Sequence, residues 1–181
     1  MKLTATPLQD SYIVEPVVFG DARGYFFESF NQRKFNEALG QNFSFVQDNQ
    51  SKSTYGVLRG LHYQTSQTQG KLVRVVQGEV YDVAVDMRKN SKTFGQSFGV
   101  YLSSENQKMF WIPAGFAHGF VVTSPEAIFV YKTTDYYQVE SEVVLLWNDP
   151  ALKIQWPEMT QPFQLNQRDL KGLPFNQCPY L

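Results

Sequence analysis

This chain of 181 residues predicts an all-β fold, an antiparallel sandwich or barrel with a few short helices, on three observations. About a dozen short strand-like runs recur at close intervals, most of them are bounded by Gly, Pro, Asn, Asp or Ser, and only one stretch carries helix start and stop signals. The first runs, Tyr12–Phe19 and Tyr25–Phe30, flank the polar turn Gly20-Asp21-Ala22-Arg23-Gly24. The helix follows over Asn31–Gly40, with Asn31 as N-cap and Gly40 as the residue after its last turn. Phe43–Gln47 returns to strand. Val57–Tyr63 and Lys71–Val76 flank Thr65-Ser66-Gln67-Thr68-Gln69-Gly70, whose composition is that of a hairpin connection. Gln77-Gly78 reads as a tight turn into Glu79–Asp86. Across Val80–Met87, Tyr81, Val83, Val85 and Met87 form an apolar face and Val80, Asp82, Ala84 and Asp86 a mixed one. That alternation predicts a sheet with a core side and a wetter side. Gly95–Leu102, Lys108–Ile112, Gly119–Val122, Ile128–Thr133 and Glu142–Trp147 complete the series. No repeat, low-complexity segment or linker divides the chain, so residues 1–181 are expected to form a single domain.

Composition excludes several function classes. A net charge of −1 with no run of Lys or Arg argues against nucleic acid as a partner. No apolar stretch approaches the roughly 20 residues of a membrane helix. The first residues, Met1 to Pro7, lack the apolar core of a signal peptide. A single cysteine, Cys178, makes no internal disulfide, and a reducing, cytoplasmic setting is expected.

The hairpin expectation carries chemistry. If its turn centres between Ser66 and Gln67, His62 lies directly opposite Lys71, and opposed residues of an antiparallel pair place their Cβ atoms about 5 Å apart on one face. An ammonium beside an imidazole is unfavourable once the imidazole is protonated. The pair makes better sense with His62 as a neutral base and Lys71 holding a developing negative charge, beside Arg59, for an anionic substrate. His118 shares one strand face with Phe116 and Phe120, which puts it in the interior whether it packs among aromatics or touches a ligand. Metal binding is not expected, because the only two histidines, His62 and His118, are far apart in sequence and no cysteine is near. Tyr131, Tyr136 and Tyr137 are core aromatics by default, though a tyrosine also serves as a proton donor or stacks on a base. Arg23 and Arg59 suit bidentate phosphate contacts, and no glycine-rich phosphate loop precedes a helix.

Seven segments together resemble the dTDP-4-dehydrorhamnose 3,5-epimerase family of the cupin fold. They are Phe19–Gly24, Val46–Asn49, Leu58–His62, Gly70–Arg74, Gly78–Asp86, Pro113–Phe120 and Leu146–Pro150, in that order within a likeness running from about Pro7 to Pro174. The resemblance implies a cupin-type double-stranded β-helix, or jelly-roll barrel. It also implies cofactor-free inversion of C3 and C5 of dTDP-4-dehydro-6-deoxy-D-glucose through an enolate, in dTDP-L-rhamnose biosynthesis. By position His62 matches the general base and Asp169 the carboxylate that orients it. Lys71 matches the enolate-stabilising group, Tyr131 the acid on the opposite face, and Tyr137 the aromatic that stacks on thymine. Substrate contacts fall on Arg23, Glu28, Gln47, Asp48, Asn49, Arg59, His118, Glu142 and Arg168. The family pattern commonly has lysine at position 168, so Arg168 keeps the charge and changes the geometry. A homodimer is implied, with N-terminal strands completing the partner's sheet. The competing readings are an epimerase acting on only one of the two centres, a non-catalytic nucleotide-sugar-binding cupin, and a metal-dependent cupin.

Overall fold

The computed structural model describes residues Met1–Leu181 throughout. Its strands, in chain order, are β1 (Lys2–Ala5), β2 (Tyr12–Glu15), β3 (Phe19–Asp21), β4 (Gly24–Phe26), β5 (Gln47–Thr54), β6 (Leu58–Gln64) and β7 (Lys71–Gln77). There follow β8 (Glu79–Asp86), β9 (Ser97–Ser103), β10 (Met109–Ile112), β11 (Phe116–Val122), β12 (Glu126–Thr133) and β13 (Glu142–Val144), and the one α-helix is α1 (Gln32–Leu39). The strands form a six-stranded sheet in the order β1-β2-β10-β7-β12-β5 and a five-stranded sheet in the order β13-β6-β11-β8-β9, with β3 and β4 as a separate ribbon. All pairings between these strands are antiparallel. The all-β expectation holds, and the architecture is the two-layered cupin sandwich.

Local chemistry explains the helix. Asn31 Oδ1 accepts from the Lys34 backbone N–H at 3.1 Å, and Gly40 takes the left-handed conformation at φ 64° to close the last turn. Phe35 on α1 then packs edge-on against Trp111 at 5.2 Å between ring centres, covering the outer face of the six-stranded sheet. The main core lies between the sheets. Val73, Val75, Phe110, Ile112 and Phe129 come from one sheet and Val80, Ala84, Leu102, Phe116, Phe120 and Val122 from the other.

Three expectations need correction. First, β6 and β7 do not form a hairpin. His62 pairs with His118 on β11 and Val144 on β13, whereas Lys71 pairs with Ile112 on β10 and Thr133 on β12. β6 is buried except at Arg59 and His62, β7 is buried over Lys71–Val73 and at Val75, and each has a neighbour on both sides, so each is an interior strand of its own sheet. The 65–70 connection crosses between layers, which pack about 10 Å apart. Buried Gln64 anchors it by donating to the Gln67 carbonyl at 2.8 Å. Second, β8 has no wet side. Its second face, Val83, Val85 and Met87, is covered by Leu145, Leu152 and Cys178, brought over by the aperiodic tail. Third, strand structure begins where the expected Phe43–Gln47 run ends: β5 is Gln47–Thr54. Phe43 and Phe45 instead stack around Trp111 and Phe35. Elsewhere the expected runs are shifted or trimmed at their ends, and β1 falls outside all of them.

A bulge in β6 sets the direction of two side chains. His118 pairs with His62 and Phe120 with Arg59, so three steps on β6 span two on β11. Residues three apart normally point to opposite faces of a strand. Here the extra residue turns Arg59 and His62 to the same side. Gly60, at φ 112°, makes this possible, because a Cβ there would sit 2.7 Å from the His118 carbonyl oxygen.

Candidate active site

One end of the sandwich interior opens into a cavity of about 310 Å³ lined by side chains of both sheets. From the five-stranded sheet come Arg59 and His62 of β6, His118 of β11 and Glu142 of β13. From the six-stranded sheet come Asn49 and Ser51 of β5, Lys71 of β7 and Tyr131 of β12. Asp169, in the short 3-10 turn Asp169–Lys171, closes one wall, and Tyr137 stands at the mouth.

His62 and Asp169 form the tightest contact. Nε2 of His62 lies 2.7 Å from Asp169 Oδ1, while Asp169 Oδ2 accepts the Gly60 backbone N–H at 3.1 Å. Burial pushes the Asp169 carboxyl up, but the hydrogen bonds from His62 and Gly60 and the charge of Arg168 together hold it below the ordinary carboxylate range. An ionised Asp169 fixes the imidazole with its proton on Nε2, leaving Nδ1 as the basic nitrogen of the neutral ring. Asn166 seats the carboxylate in turn, accepting the Asp169 backbone N–H at 2.7 Å.

Lys71 faces His62 across the layers rather than along a hairpin. It is 7% exposed, and the one hydrogen bond its ammonium makes within the chain runs from Nζ to the His62 carbonyl at 3.4 Å. Burial lowers it to about 8, opposed by the charge of Asp82. An ammonium with unspent donors suits an oxygen on which negative charge develops. Burial raises the Tyr131 phenol, with Arg59 pulling it partly back, so Tyr131 remains protonated and able to donate.

The remaining candidates divide by position. Arg59 Nε is held by Ser53 Oγ at 3.0 Å, leaving the outer guanidinium N–H groups for an anion. Asn49 Nδ2 is buried without a hydrogen-bond partner, a donor suited to a ligand oxygen. Gln47 does not line the cavity. It receives the Tyr137 backbone N–H at 3.1 Å and donates to Asn49 Oδ1 at 2.9 Å, steadying both. Glu142 accepts from the Tyr137 hydroxyl at 2.7 Å and pairs with Arg168 at the rim. His118 Nε2 is 2.9 Å from Asp82 Oδ2 beneath the cavity floor. Asp48 points outward to Lys132 at 2.9 Å. Arg23 and Glu28 lie away from the cavity, Arg23 with an 89% exposed side chain paired to Asp21 and Glu28 paired to Lys34.

Sequence reasoning missed Asn166, Ser53, Asp82 and Gln64 as supports. An acid at an inward-facing strand position was the available signal for Asp82; the others lie in polar segments without periodicity. No group of three or more His, Cys, Asp or Glu side chains converges to hold a metal ion, and no helix is long and apolar enough to cross a membrane.

Residues 5–177 match the family described as dTDP-4-dehydrorhamnose 3,5-epimerase. The chain is 58% identical over 175 residues to the dTDP-4-dehydrorhamnose 3,5-epimerase of Pseudomonas aeruginosa, covering 97% of this chain and 96% of that protein. Among solved structures it is similar to the dTDP-6-deoxy-D-glucose-3,5-epimerase of Legionella pneumophila in complex with dTDP-4-keto-L-rhamnose. That match has a TM-score of 0.95 and 52% identity, covering 98% and 94% of the two chains. It is also similar to the dTDP-4-dehydrorhamnose 3,5-epimerase of Bacillus anthracis with TDP and PPi bound, with a TM-score of 0.90 and 44% identity, covering 96% and 98%.

Proposed function

This chain belongs to the dTDP-4-dehydrorhamnose 3,5-epimerase family, and we propose that its cavity inverts C3 and C5 of dTDP-4-dehydro-6-deoxy-D-glucose, giving dTDP-4-dehydro-β-L-rhamnose. The observation that carries the residue roles is the 2.7 Å contact of His62 with Asp169 on a cavity shared with Lys71 and Tyr131. Both centres flank the C4 ketone, so one carbonyl acidifies both C–H bonds. His62 Nδ1 takes the proton, and the electron pair of the C–H bond moves into an enolate whose oxygen carries the charge. Lys71 meets that charge, which exists only as the reaction proceeds. Tyr131 returns a proton to the opposite face of the same carbon, and the centre is inverted. Arg59 and Asn49 hold the diphosphate and sugar oxygens, Tyr137 stacks on thymine, and Glu142, Arg168 and His118 complete the sugar and nucleotide contacts.

Incubation with the substrate in D₂O, followed by NMR, tests this. Deuterium is expected at both C3 and C5; incorporation at one centre alone points to a single-centre epimerase, and none despite binding sinks the enzyme reading. Tyr131→Phe is expected to keep the exchange while slowing inversion about 10²-fold, the usual scale for losing a general acid. Inversion at the wild-type rate would remove Tyr131 from that role.

A homodimer accounts for the residues outside the cavity. Val17, Phe19, Tyr25 and Phe26 are large apolar side chains exposed on and beside the β3–β4 ribbon, Phe26 at 70%. A second copy covering this ribbon would bury that surface and bring Arg23 and Glu28 toward the other protomer's cavity. Phe26→Asp should then yield monomers in sedimentation velocity, and an unchanged dimer would place the interface elsewhere.

A further inference from the structure

Tyr137 stands at the cavity mouth with 46% of its surface open, in the irregular stretch between β12 and the short 3-10 turn Val139–Ser141. Such stretches are where local opening of a fold is cheapest. Here, however, both peptide units that flank the Tyr137 Cα are held by side-chain carboxamides. The Tyr136 carbonyl accepts from Gln64 Nε2 at 3.2 Å, and the Tyr137 N–H donates to Gln47 Oε1 at 3.1 Å. The Gln138 N–H donates to Gln64 Oε1 at 2.9 Å. A residue has only two soft backbone dihedrals, set by the planes on either side of it, so holding both planes fixes the direction in which Tyr137 projects.

Gln64 supplies two of these three bonds. It is the last residue of β6 and is 4% exposed. Its amino group meets the Tyr136 and Gln67 carbonyls and its oxygen meets the Gln138 N–H, a division of donor and acceptor that a carboxamide provides in one group. With the amino group spent on backbone carbonyls, Gln64 has little to offer a ligand directly. It also pairs in register with Glu142 of β13, which accepts from the Tyr137 hydroxyl at 2.7 Å. One strand end therefore secures the backbone of Tyr137 and, through its strand neighbour, the tip of the ring.

We propose that Gln64 is a positioning residue for the nucleotide: it clamps the backbone on both sides of Tyr137, so affinity for the thymidine end of the substrate depends on it and the rate of proton transfer does not. This rests on Tyr137 stacking on thymine. A ring already fixed in its bound direction need not be ordered on binding, and that cost falls on folding instead.

The test compares wild type, Gln64→Met, Tyr137→Ala and the double variant Q64M/Y137A, by steady-state kinetics and by calorimetric titration with dTDP and with pyrophosphate. Methionine is similar in length and lacks both hydrogen-bonding groups. In Q64M, KM and the Kd for dTDP should rise about tenfold, the scale of ordering one residue's backbone, with kcat changed less than about twofold. Pyrophosphate, which has no ring to stack, should bind as it does to wild type. In the Tyr137→Ala background the second substitution should add nothing to the Kd for dTDP. An unchanged Kd in Q64M, an equal loss for pyrophosphate, or the same loss with Tyr137 absent overturns the proposal. So does a fall in kcat with KM unmoved, which would assign Gln64 to the 65–70 connection and Lys71. Should Q64M not fold, Gln64→Glu, which keeps the acceptor for Gln138 and loses the donors, carries the same comparison with and without Tyr137. Tyr137→Ala binding dTDP like wild type would overturn the stacking reading itself, a result obtained without touching Gln64.

Discussion

Replacing His62 with alanine is expected to lower deuterium exchange at both C3 and C5 by about 10³-fold, within the usual range for losing a general base. Both positions should fall together, because in the proposed mechanism one imidazole serves two carbons on either side of one ketone. The effect should appear in kcat, with substrate binding largely kept, since Arg59, Asn49 and Tyr137 remain in place. His62 is only partly buried and lies between Asp169 and the cavity, so its loss should leave the fold intact. Exchange measured by NMR in D₂O, with circular dichroism as the control for folding, decides the matter. Exchange at the wild-type rate would mean that another group takes the proton. Loss at one carbon only would mean that two bases share the work.

Lys71→Met should separate activity from stability. Turnover is expected to fall about 10²- to 10³-fold, the scale of removing one donor from a developing oxyanion. The fold is expected to gain stability at pH 7. Burial holds the folded-state pKa of Lys71 at about 8, below its ordinary 10.5. The folded chain therefore binds this proton less tightly than the unfolded chain does. That cost is fully present below pH 8 and is relieved as pH rises from about 8 toward 10.5. The gap corresponds to roughly 3 kcal/mol at neutral pH, methionine fills a similar volume without a charge, and Asp82, whose carboxyl burial already pushes up, answers the loss of the ammonium by taking up a proton. Urea unfolding at pH 7 should show the variant more stable by about that amount, with the difference shrinking at pH 9.5. A variant less stable than wild type at pH 7 would mean that the ammonium is a net stabiliser where it sits.

How much of this is legible in the sequence depends on which rule each segment obeys. The caps of α1 are readable because Asn31 and Gly40 act within one turn of their own positions. Strands β8, β10, β11 and β12 are readable from apolar runs. Strand β5 is not, since one of its faces lines the cavity and the other meets solvent, and Gln47–Thr54 offers no apolar residue to count. Local spacing brings His62 and Lys71 together for the wrong reason: it cannot distinguish a hairpin from a crossing between layers when both strands are buried where they meet the connection, at Tyr63–Gln64 and Lys71–Val73. Asp169 lies 107 residues from His62 in an aperiodic tail, so no local pattern can join them. Family resemblance supplies that partner, and the structure shows how the tail delivers it. Asp82 carries a visible sign, an acid among strand apolars, but its partner, His118, lies on another strand.

Because the 65–70 connection crosses between layers, His62 and Asp169 are held by one layer, Lys71 and Tyr131 by the other. Each layer can complete its own ladder of backbone bonds and still hold only half of the chemistry. Catalysis therefore reports the docking of the two layers rather than the order within either. A refolding chain would recover its strand signal first and its epimerase activity only once the apolar interior had closed.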